Sequence, residues 1–238
     1  MMLADFDKTA EEGTNARSRH QDHLQSRNWN HGLRALLFAL NGYAVRMFGR
    51  SAASVERGFA SIRGALDMYG RNGLVHEADI PAILGRITGC TTLEDAARGA
   101  DFVIESIAEQ LDVKREVWTR IEDLTGPETI FATNTSGLSP TAIAASLKRR
   151  ERFVVAHFWN PPHLVPLVEV VPGEDTAAET VETTWRLMEA IGKKPVALKR
   201  EALGFIGNRL QLALLREALY IVEQGIATPE AVDATVRY

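Results

Sequence analysis

Two apolar runs near the middle of the chain each carry one residue that can take or hold a proton. His157 lies near the end of the run 153–158, and Glu169 follows twelve residues later within the run 164–171. If the two runs are neighbouring strands, these side chains can face each other. An imidazole exchanges protons near neutral pH, and a carboxylate on its other ring nitrogen fixes the tautomer and stabilises the imidazolium. The alternative is a structural histidine beside a strand.

Two further polar residues lie next to predicted elements and can form hydrogen bonds. Ser136 follows a predicted strand over 129–133, and Asn208 lies near the start of a long helix predicted over 205–224. A hydroxyl and an amide can both hydrogen-bond an oxygen of a small molecule. The alternative roles are a helix-capping turn for Ser136 and a polar helix surface for Asn208.

Helix and strand patterns alternate along most of the chain and predict the framework for these residues. Strand-like runs separated by helical segments occur at 43–48, 87–90, 102–105 and 129–133. Such alternation favours an α/β fold with a parallel sheet covered by helices. Asn41-Gly42 is expected to end a first helix, Ser51 to cap the next and Asp175 to cap a later one. We expect three regions, namely a polar, disordered segment without a strand (1–31), the α/β domain (32–200) and the start of a helical domain (201–238).

Four segments between residues 101 and 224 carry the most specific pattern. In order they are DFVIESIAEQLDVK, FATNTSGLSP, VAHFWNPPHLVPLVEVVPG and GFIGNRLQLALLREAL. Together they resemble the 3-hydroxyacyl-CoA dehydrogenase family over roughly residues 33–238. The resemblance implies a Rossmann-like, doubly wound, mostly parallel sheet, here lacking a clear first strand, followed by an incomplete all-helical C-terminal domain. It also implies NAD as cofactor, a small-molecule substrate of the acyl-CoA ester type and a homodimer.

The resemblance assigns catalytic roles to four residues. Oxidation of a secondary alcohol needs a base that takes the hydroxyl proton while hydride leaves carbon. His157 is expected to be that base, and Glu169 is expected to orient it. Ser136 and Asn208 are expected to hold the substrate oxygen. His163, in the loop between the two runs, receives no role and is expected to be a surface residue.

The predicted cofactor-binding residues match the family at the nicotinamide end of the cofactor only. Contacts to the cofactor or its nicotinamide end are expected from Glu109, Lys114, Asn134 and Asn160. The first two are also well spaced for a plain surface pair. The family's three fingerprint glycines fall at about Ser26, Asn28 and His31. Gly49 stands where an acidic residue should hold the adenosine ribose, and the following Arg50 makes NADP an alternative cofactor.

Two alternatives for function remain open. These departures indicate a catalytically impaired or fragmentary relative without the dinucleotide phosphate loop. The segment NPPHLVPLVEVVPG also resembles family members that act on carnitine or a sugar acid. Because family-like sequence begins abruptly at Leu33, we hypothesise that the first 30 or so residues are a displaced sequence, as a shifted reading frame or a wrong start would produce. The coding DNA tests this hypothesis, which fails if no other frame upstream encodes a strand followed by GxGxxG.

Composition excludes several classes of function. The 238 residues carry 27 Lys+Arg against 31 Asp+Glu, a formal net charge of -4, so no nucleic-acid partner is expected. The apolar stretches fall far short of the roughly 20 residues of a membrane span, and the acidic N-terminus does not resemble a signal peptide. With Cys90 as the single cysteine, neither a disulfide nor a metal site is expected. We therefore expect a cytoplasmic protein without a membrane partner, and the family resemblance implies an enzyme of fatty acid metabolism.

Overall fold

A computed structural model describes residues 2–4 and 32–238. The strands are β1 (Met2–Ala4), β2 (Val45–Phe48), β3 (Ile87–Cys90), β4 (Phe102–Glu105), β5 (Ile130–Thr133), β6 (Phe153–Phe158), β7 (Leu167–Pro172) and β8 (Lys194–Ala197). They form one sheet in the order β3-β2-β1-β4-β5-β6-β7-β8. Strands β1 to β6 are parallel to one another, whereas β7 runs antiparallel to β6 and parallel to β8.

Helices cover both faces of this sheet, which confirms the doubly wound α/β class. One face carries α1 (32–40), α2 (Ala52–Arg71), α3 (Ile80–Gly85) and α7 (Ala178–Ala190); the other carries α4 (Leu93–Ala97), α5 (Leu111–Leu124) and α6 (Pro140–Ala144). Alternate residues of a strand point to opposite faces. Accordingly, Ile104 of β4 packs in the cluster that contains Leu36 and Met188, while its neighbour Val103 packs with Trp118 and Ile143.

The expectation that residues 1–31 contain no strand is wrong for residues 2–4. This segment is β1, and it pairs in parallel with both neighbours, Leu3 lying opposite Met47 of β2 and Ile104 of β4. Three residues are too few to display a strand period in the sequence, so the pairing partners on either side define this strand. The resulting order of the first six strands is that of a dinucleotide-binding fold. The fingerprint positions Ser26, Asn28 and His31 lie outside the described residues.

Several helices begin with a side-chain cap, as α2 does, whereas α7 begins without one. The Ser51 hydroxyl accepts a hydrogen bond from Ser54 N at 3.2 Å at the start of α2, as the sequence predicts. Helix α7 was expected to be capped by Asp175, but its N-cap is Ala177. The Thr176 hydroxyl accepts from Gly173 N at 2.7 Å and donates to the Phe153 carbonyl at 2.7 Å, and this turn delays the start of the helix.

The chain after β8 is helical and packs loosely. It forms α8 (Gly207–Glu223) and α9 (Pro229–Arg237), and neither helix has a buried residue. Five leucines of α8 are more than half exposed: Leu210, Leu212, Leu214, Leu215 and Leu219. No helix in the described part of the chain is long and apolar enough to cross a membrane.

Candidate active site

The antiparallel pairing of β6 and β7 brings His157 and Glu169 together. The two residues are direct partners in the register of the strands, so their side chains project from the same face. The distance from His157 Nδ1 to Glu169 Oε2 is 2.9 Å, and both side chains are at least nine-tenths buried. Among the described residues, His157 Nε2 has no hydrogen-bond partner. This arrangement leaves Nε2 available for proton transfer to a bound molecule.

Glu169 is held as an anion by four hydrogen bonds. Its Oε2 faces His157 and also accepts from Trp159 Nε1 at 3.1 Å, while Oε1 accepts from Ile206 N and Gly207 N, both at 2.9 Å. Burial alone would raise the pKa of Glu169, but the hydrogen bonds from His157, the two backbone amides and Trp159 outweigh it and lower the pKa to about 2. The carboxylate therefore stays charged at neutral pH and can hold the imidazole in one orientation.

Two aromatic rings enclose the imidazole of His157. The rings of Trp159 and Phe205 both have centroids 5.6 Å from the imidazole centroid. Phe205 is 2 % exposed and has a φ of 48° in the turn that precedes α8. A positive φ of this kind favours glycine, so the contacts of the buried Phe205 ring outweigh this backbone preference. The resemblance assigned no role to Phe205, and its neighbour Gly204 is the only local signal of a tight turn.

Helix α8 carries Asn208 to the loop after β5, where Ser136 lies. Asn208 Nδ2 donates to the Ser136 carbonyl at 3.1 Å. Ser136 is exposed, and its hydroxyl makes no hydrogen bond within the part of the chain that the structure describes. Since Glu169 binds the first amides of α8, the same carboxylate connects His157 to Asn208. The four residues predicted to be catalytic thus lie on neighbouring elements, and their roles remain predictions.

The loop that carries Ser136 is fastened by Glu109. One carboxylate oxygen, Glu109 Oε1, accepts from Ser136 N at 2.9 Å, from Gly137 N at 3.2 Å and from the Thr135 hydroxyl. Burial opposes ionisation, but the charge of Lys114 and these hydrogen bonds outweigh it, so the pKa of Glu109 lies below its usual value. Glu109 therefore fixes the backbone next to the proposed substrate oxygen.

Lys114 is buried, so its interpretation as half of a plain surface pair is wrong. The side chain is 1 % exposed, and its ammonium lies 2.7 Å from Glu105 Oε1 and 3.4 Å from Glu109 Oε2. Glu105, which sequence reasoning missed, also accepts from Ile107 N, from Trp118 Nε1 at 3.2 Å and from the Thr133 hydroxyl at 2.7 Å. A charged residue that ends an otherwise apolar strand was the available signal.

The two predicted asparagines differ in how firmly they are placed. Asn134 Oδ1 accepts from Phe158 N at 2.8 Å, which ties the end of β5 to the strand residue after His157. Asn160 is exposed, and its side chain forms no hydrogen bond with another described residue. Only Asn134 is therefore fixed by side-chain contacts at the edge where β4, β5 and β6 end.

The loop between β6 and β7 differs from its expected form at His163. This residue is half-buried, and its carbonyl accepts from the Tyr69 hydroxyl at 2.7 Å, so it is not a simple surface residue. Burial and the nearby charge of Lys193 lower the pKa of His163. Lys193 itself is buried and donates to the carbonyl oxygens of Pro162 and, at 3.0 Å, Val165. Among the described residues no cluster of three metal-ligating side chains occurs.

The described residues fit a dinucleotide better at one end than at the other. In this strand order a dinucleotide lies outside the carboxyl ends of the strands, at the switch point between β1 and β4. Glu109, Asn134 and Ser136 all follow β4 or β5, which suits the nicotinamide end. At the end of β2, a Cβ placed on Gly49 would lie 3.0 Å from Ser54 Oγ and 3.1 Å from the backbone of α2. A side chain at this position would therefore have to displace Ser54 or the first turn of α2 by a few tenths of an ångström.

Comparison with known proteins agrees with this geometry. The family model for the 3-hydroxyacyl-CoA dehydrogenase NAD-binding domain matches residues 32–202, and that for the C-terminal domain of the same family matches residues 204–238. The chain therefore belongs to the 3-hydroxyacyl-CoA dehydrogenase family, whose members are NAD-dependent dehydrogenases.

Individual relatives differ in the substrates that their names state. The chain is 37% identical to 5-formyl-3-hydroxy-2-methylpyridine 4-carboxylate 5-dehydrogenase of Mesorhizobium japonicum, over 86% of this chain and 65% of that protein. It is 39% identical to L-carnitine dehydrogenase of Streptomyces coelicolor, over 84% of this chain and 61% of that one. The structure of (S)-3-hydroxybutyryl-CoA dehydrogenase from Ralstonia eutropha matches with a TM-score of 0.83 and 29% identity, over 97% of this chain and 74% of that one. The chain thus spans less than two thirds of the length of these two curated relatives.

Proposed function

We propose that this protein oxidises a 3-hydroxyacyl-CoA to the corresponding 3-oxoacyl-CoA with NAD. The observation that carries the proposal is the His157–Glu169 contact of 2.9 Å beside Ser136 and Asn208, at the edge where β4, β5 and β6 end. NAD, when bound, supplies the acceptor for the hydride that leaves the carbinol carbon. Both family models that match the chain are named for 3-hydroxyacyl-CoA dehydrogenase, which supports the acyl-CoA ester as the substrate.

The residues of this chain would handle the proton and the oxygen. His157 Nε2 takes the proton of the substrate hydroxyl as the C–O bond becomes a carbonyl, and the resulting imidazolium is stabilised by Glu169. The free Ser136 hydroxyl and the Asn208 amide hold the substrate oxygen in place. In the reverse direction the imidazolium returns the proton to the oxygen. The low pKa of Glu169 keeps its charge constant in either direction.

Relatives that act on other compounds define the second candidate substrates. L-carnitine carries a secondary hydroxyl group that can be oxidised in the same way, and a protein named for it matches this chain at 39% identity. The relative that matches at 37% identity is named for a pyridine with a formyl group, an aldehyde whose oxidation gives a carboxylate rather than a ketone. A carnitine or sugar-acid substrate would use the same base. These two substrates differ from an acyl-CoA in charge and size away from the hydroxyl group.

We further propose a cytoplasmic homodimer that acts in fatty acid metabolism. The exposed leucines of α8 support an association through that helix, since exposed apolar patches of this kind mark interaction surfaces. Light scattering of the purified protein, coupled to size exclusion, tests the dimer. A monomer over the micromolar range would contradict it.

The decisive experiment separates cofactor binding from turnover. The protein is titrated with NADH, followed by calorimetry, and acetoacetyl-CoA is then added to the same sample. Micromolar binding followed by NADH consumption supports the proposal. Binding without consumption, combined with NADH formation from NAD and L-carnitine, would replace the acyl-CoA by carnitine. The absence of binding would favour the impaired relative.

A further inference from the structure

Trp159 contacts the proposed catalytic pair, His157 and Glu169, but the function proposed above gives it no role. Its indole Nε1 lies 3.1 Å from Glu169 Oε2, the same oxygen that faces His157 Nδ1 at 2.9 Å. The ring centroid of Trp159 lies 5.6 Å from that of His157. His157 and Trp159 therefore share one carboxylate oxygen, and each donor to it affects the other.

The second donor has a definite electrostatic consequence. An N–H group that binds a carboxylate disperses part of its negative charge and stabilises the anion. The charge left for the imidazolium of His157 is correspondingly smaller. Because Glu169 is 1 % exposed, water cannot replace this hydrogen bond when it is removed. The indole thus limits how strongly Glu169 stabilises a protonated base.

Trp159 also determines how closely α8 approaches the sheet. A Cβ placed on Gly207, the first residue of α8, would lie 2.1 Å from Cζ2 of the Trp159 ring. Only a glycine allows this contact, and the next residue is Asn208, which reaches Ser136. The indole therefore contacts both the His157–Glu169 pair and the beginning of the helix that carries Asn208.

We propose that Trp159 is a positioning residue, which moderates the Glu169 charge that acts on His157 and seats the N-terminus of α8. The inference rests on the proposed role of His157 as the base. Phenylalanine at this position would keep an aromatic ring beside His157 but would remove the N–H group together with the indole atoms that contact Gly207. Two readouts separate these losses, since the lost hydrogen bond moves the pH profile and the lost packing is common to both backgrounds of a double-mutant cycle.

The first readout is the pH profile of alcohol oxidation. With Trp159→Phe, Glu169 stabilises the protonated base more strongly, so the acidic limb of kcat/KM moves to higher pH by about 0.3 to 1 unit. On that limb the rate falls twofold to tenfold, and the high-pH plateau changes less. The matched control is Trp185→Phe on α7, whose indole makes no hydrogen bond within the described residues. A lower plateau with an unmoved limb would overturn the proposal.

The second readout does not depend on turnover. In a double-mutant cycle, urea unfolding is measured for Trp159→Phe in the parent chain and in a Glu169→Gln background. Because hydrogen bonds to charged groups are the stronger ones, we expect the unfolding constant to rise about tenfold in the parent and threefold or less in the Gln background. Equal factors in both backgrounds would overturn the inference. A chain that is inactive toward every substrate but shows this coupling would refute only the proposed function.

Discussion

Strands β2 and β6 end at the same edge of one parallel sheet, yet they end in different kinds of surroundings. At the end of β6, His157 shares the Glu169 carboxylate with Trp159 and with the first amides of α8, so this carboxylate accepts from four donors. Beyond β2, Gly49 is closed in by the first turn of α2. The comparison teaches that the catalytic end is built from strand register and helix termini, which do not depend on the adenosine end. Catalysis and cofactor binding can therefore be tested separately.

The largest effect is expected at the catalytic end. Replacing His157 by Gln removes the base and keeps a polar side chain of similar reach, so turnover should fall by about 10³-fold or more. Unfolding midpoints should stay within a few degrees of the parent, because the Gln amide can still donate to Glu169. Steady-state kinetics and thermal unfolding check both statements. Retained turnover would remove His157 from the mechanism and erase the contrast between the two ends.

A second large effect should separate the buried network from the surface. Lys114→Met leaves Glu105, which is fully buried, without its cation, and breaking a buried pair costs about 3–5 kcal/mol. Chemical denaturation measures this loss. The control Lys148→Met removes an ammonium that is 83 % exposed and 3.6 Å from Asp123, and it should cost less than about 0.5 kcal/mol. Similar losses in both variants would show that the Glu105 network does not stabilise the fold.

Sequence patterns predicted the elements that have room for a period or a cap. The apolar run of β6, the cap Ser51 and the stop at Asn41-Gly42 all depend on neighbours within a few residues, and the structure has a helix or strand end at each. The facing of His157 and Glu169 followed from one condition, that their strands are neighbours. Local chemistry was sufficient in these places.

Other features depend on tertiary partners and could not be predicted this way. Strand β1 has three residues, and its place is set by β2 and β4 on either side. The hydrogen bond from Trp159 to Glu169 spans the connection between β6 and β7, and the Glu105 donors Lys114, Trp118 and Thr133 lie on α5 and β5. Burial of Lys114 likewise follows from the packing of α5 on the sheet. A sequence pattern supplies the residue type but not its surroundings.

The charge of Glu169 should be visible as pH-dependent stability. Its pKa is about 2 in the folded protein and about 4.5 when unfolded, so its stabilisation is complete above pH 4.5 and disappears as the pH falls toward 2. This term amounts to about 3 kcal/mol. In urea unfolding between pH 6 and pH 3, Glu169→Gln should show a flatter loss than the parent.

A control for this titration is the exposed Glu116 of α5. Glu116 makes no hydrogen bond or ion pair with another described residue, so Glu116→Gln should leave the slope of stability against pH close to that of the parent. If Glu169→Gln also follows the parent slope, the carboxylate is not held as an anion by its four donors. The hydrogen bonds to Glu169 would then be weaker than their distances indicate.

The smallest effect tests whether the end of β2 is as closed as its contacts indicate. Gly49→Ala places a methyl group 3.0 Å from Ser54 Oγ and 3.1 Å from Val55 N, so we expect a loss of about 1–2 kcal/mol. The control Gly64→Ala, in open space on α2, should gain up to about 1 kcal/mol, since alanine favours a helix. Urea unfolding of both variants gives the comparison. If Gly49→Ala is instead neutral, the end of β2 has room for a ribose-binding side chain. Only the residue type at position 49 then prevents ribose binding there.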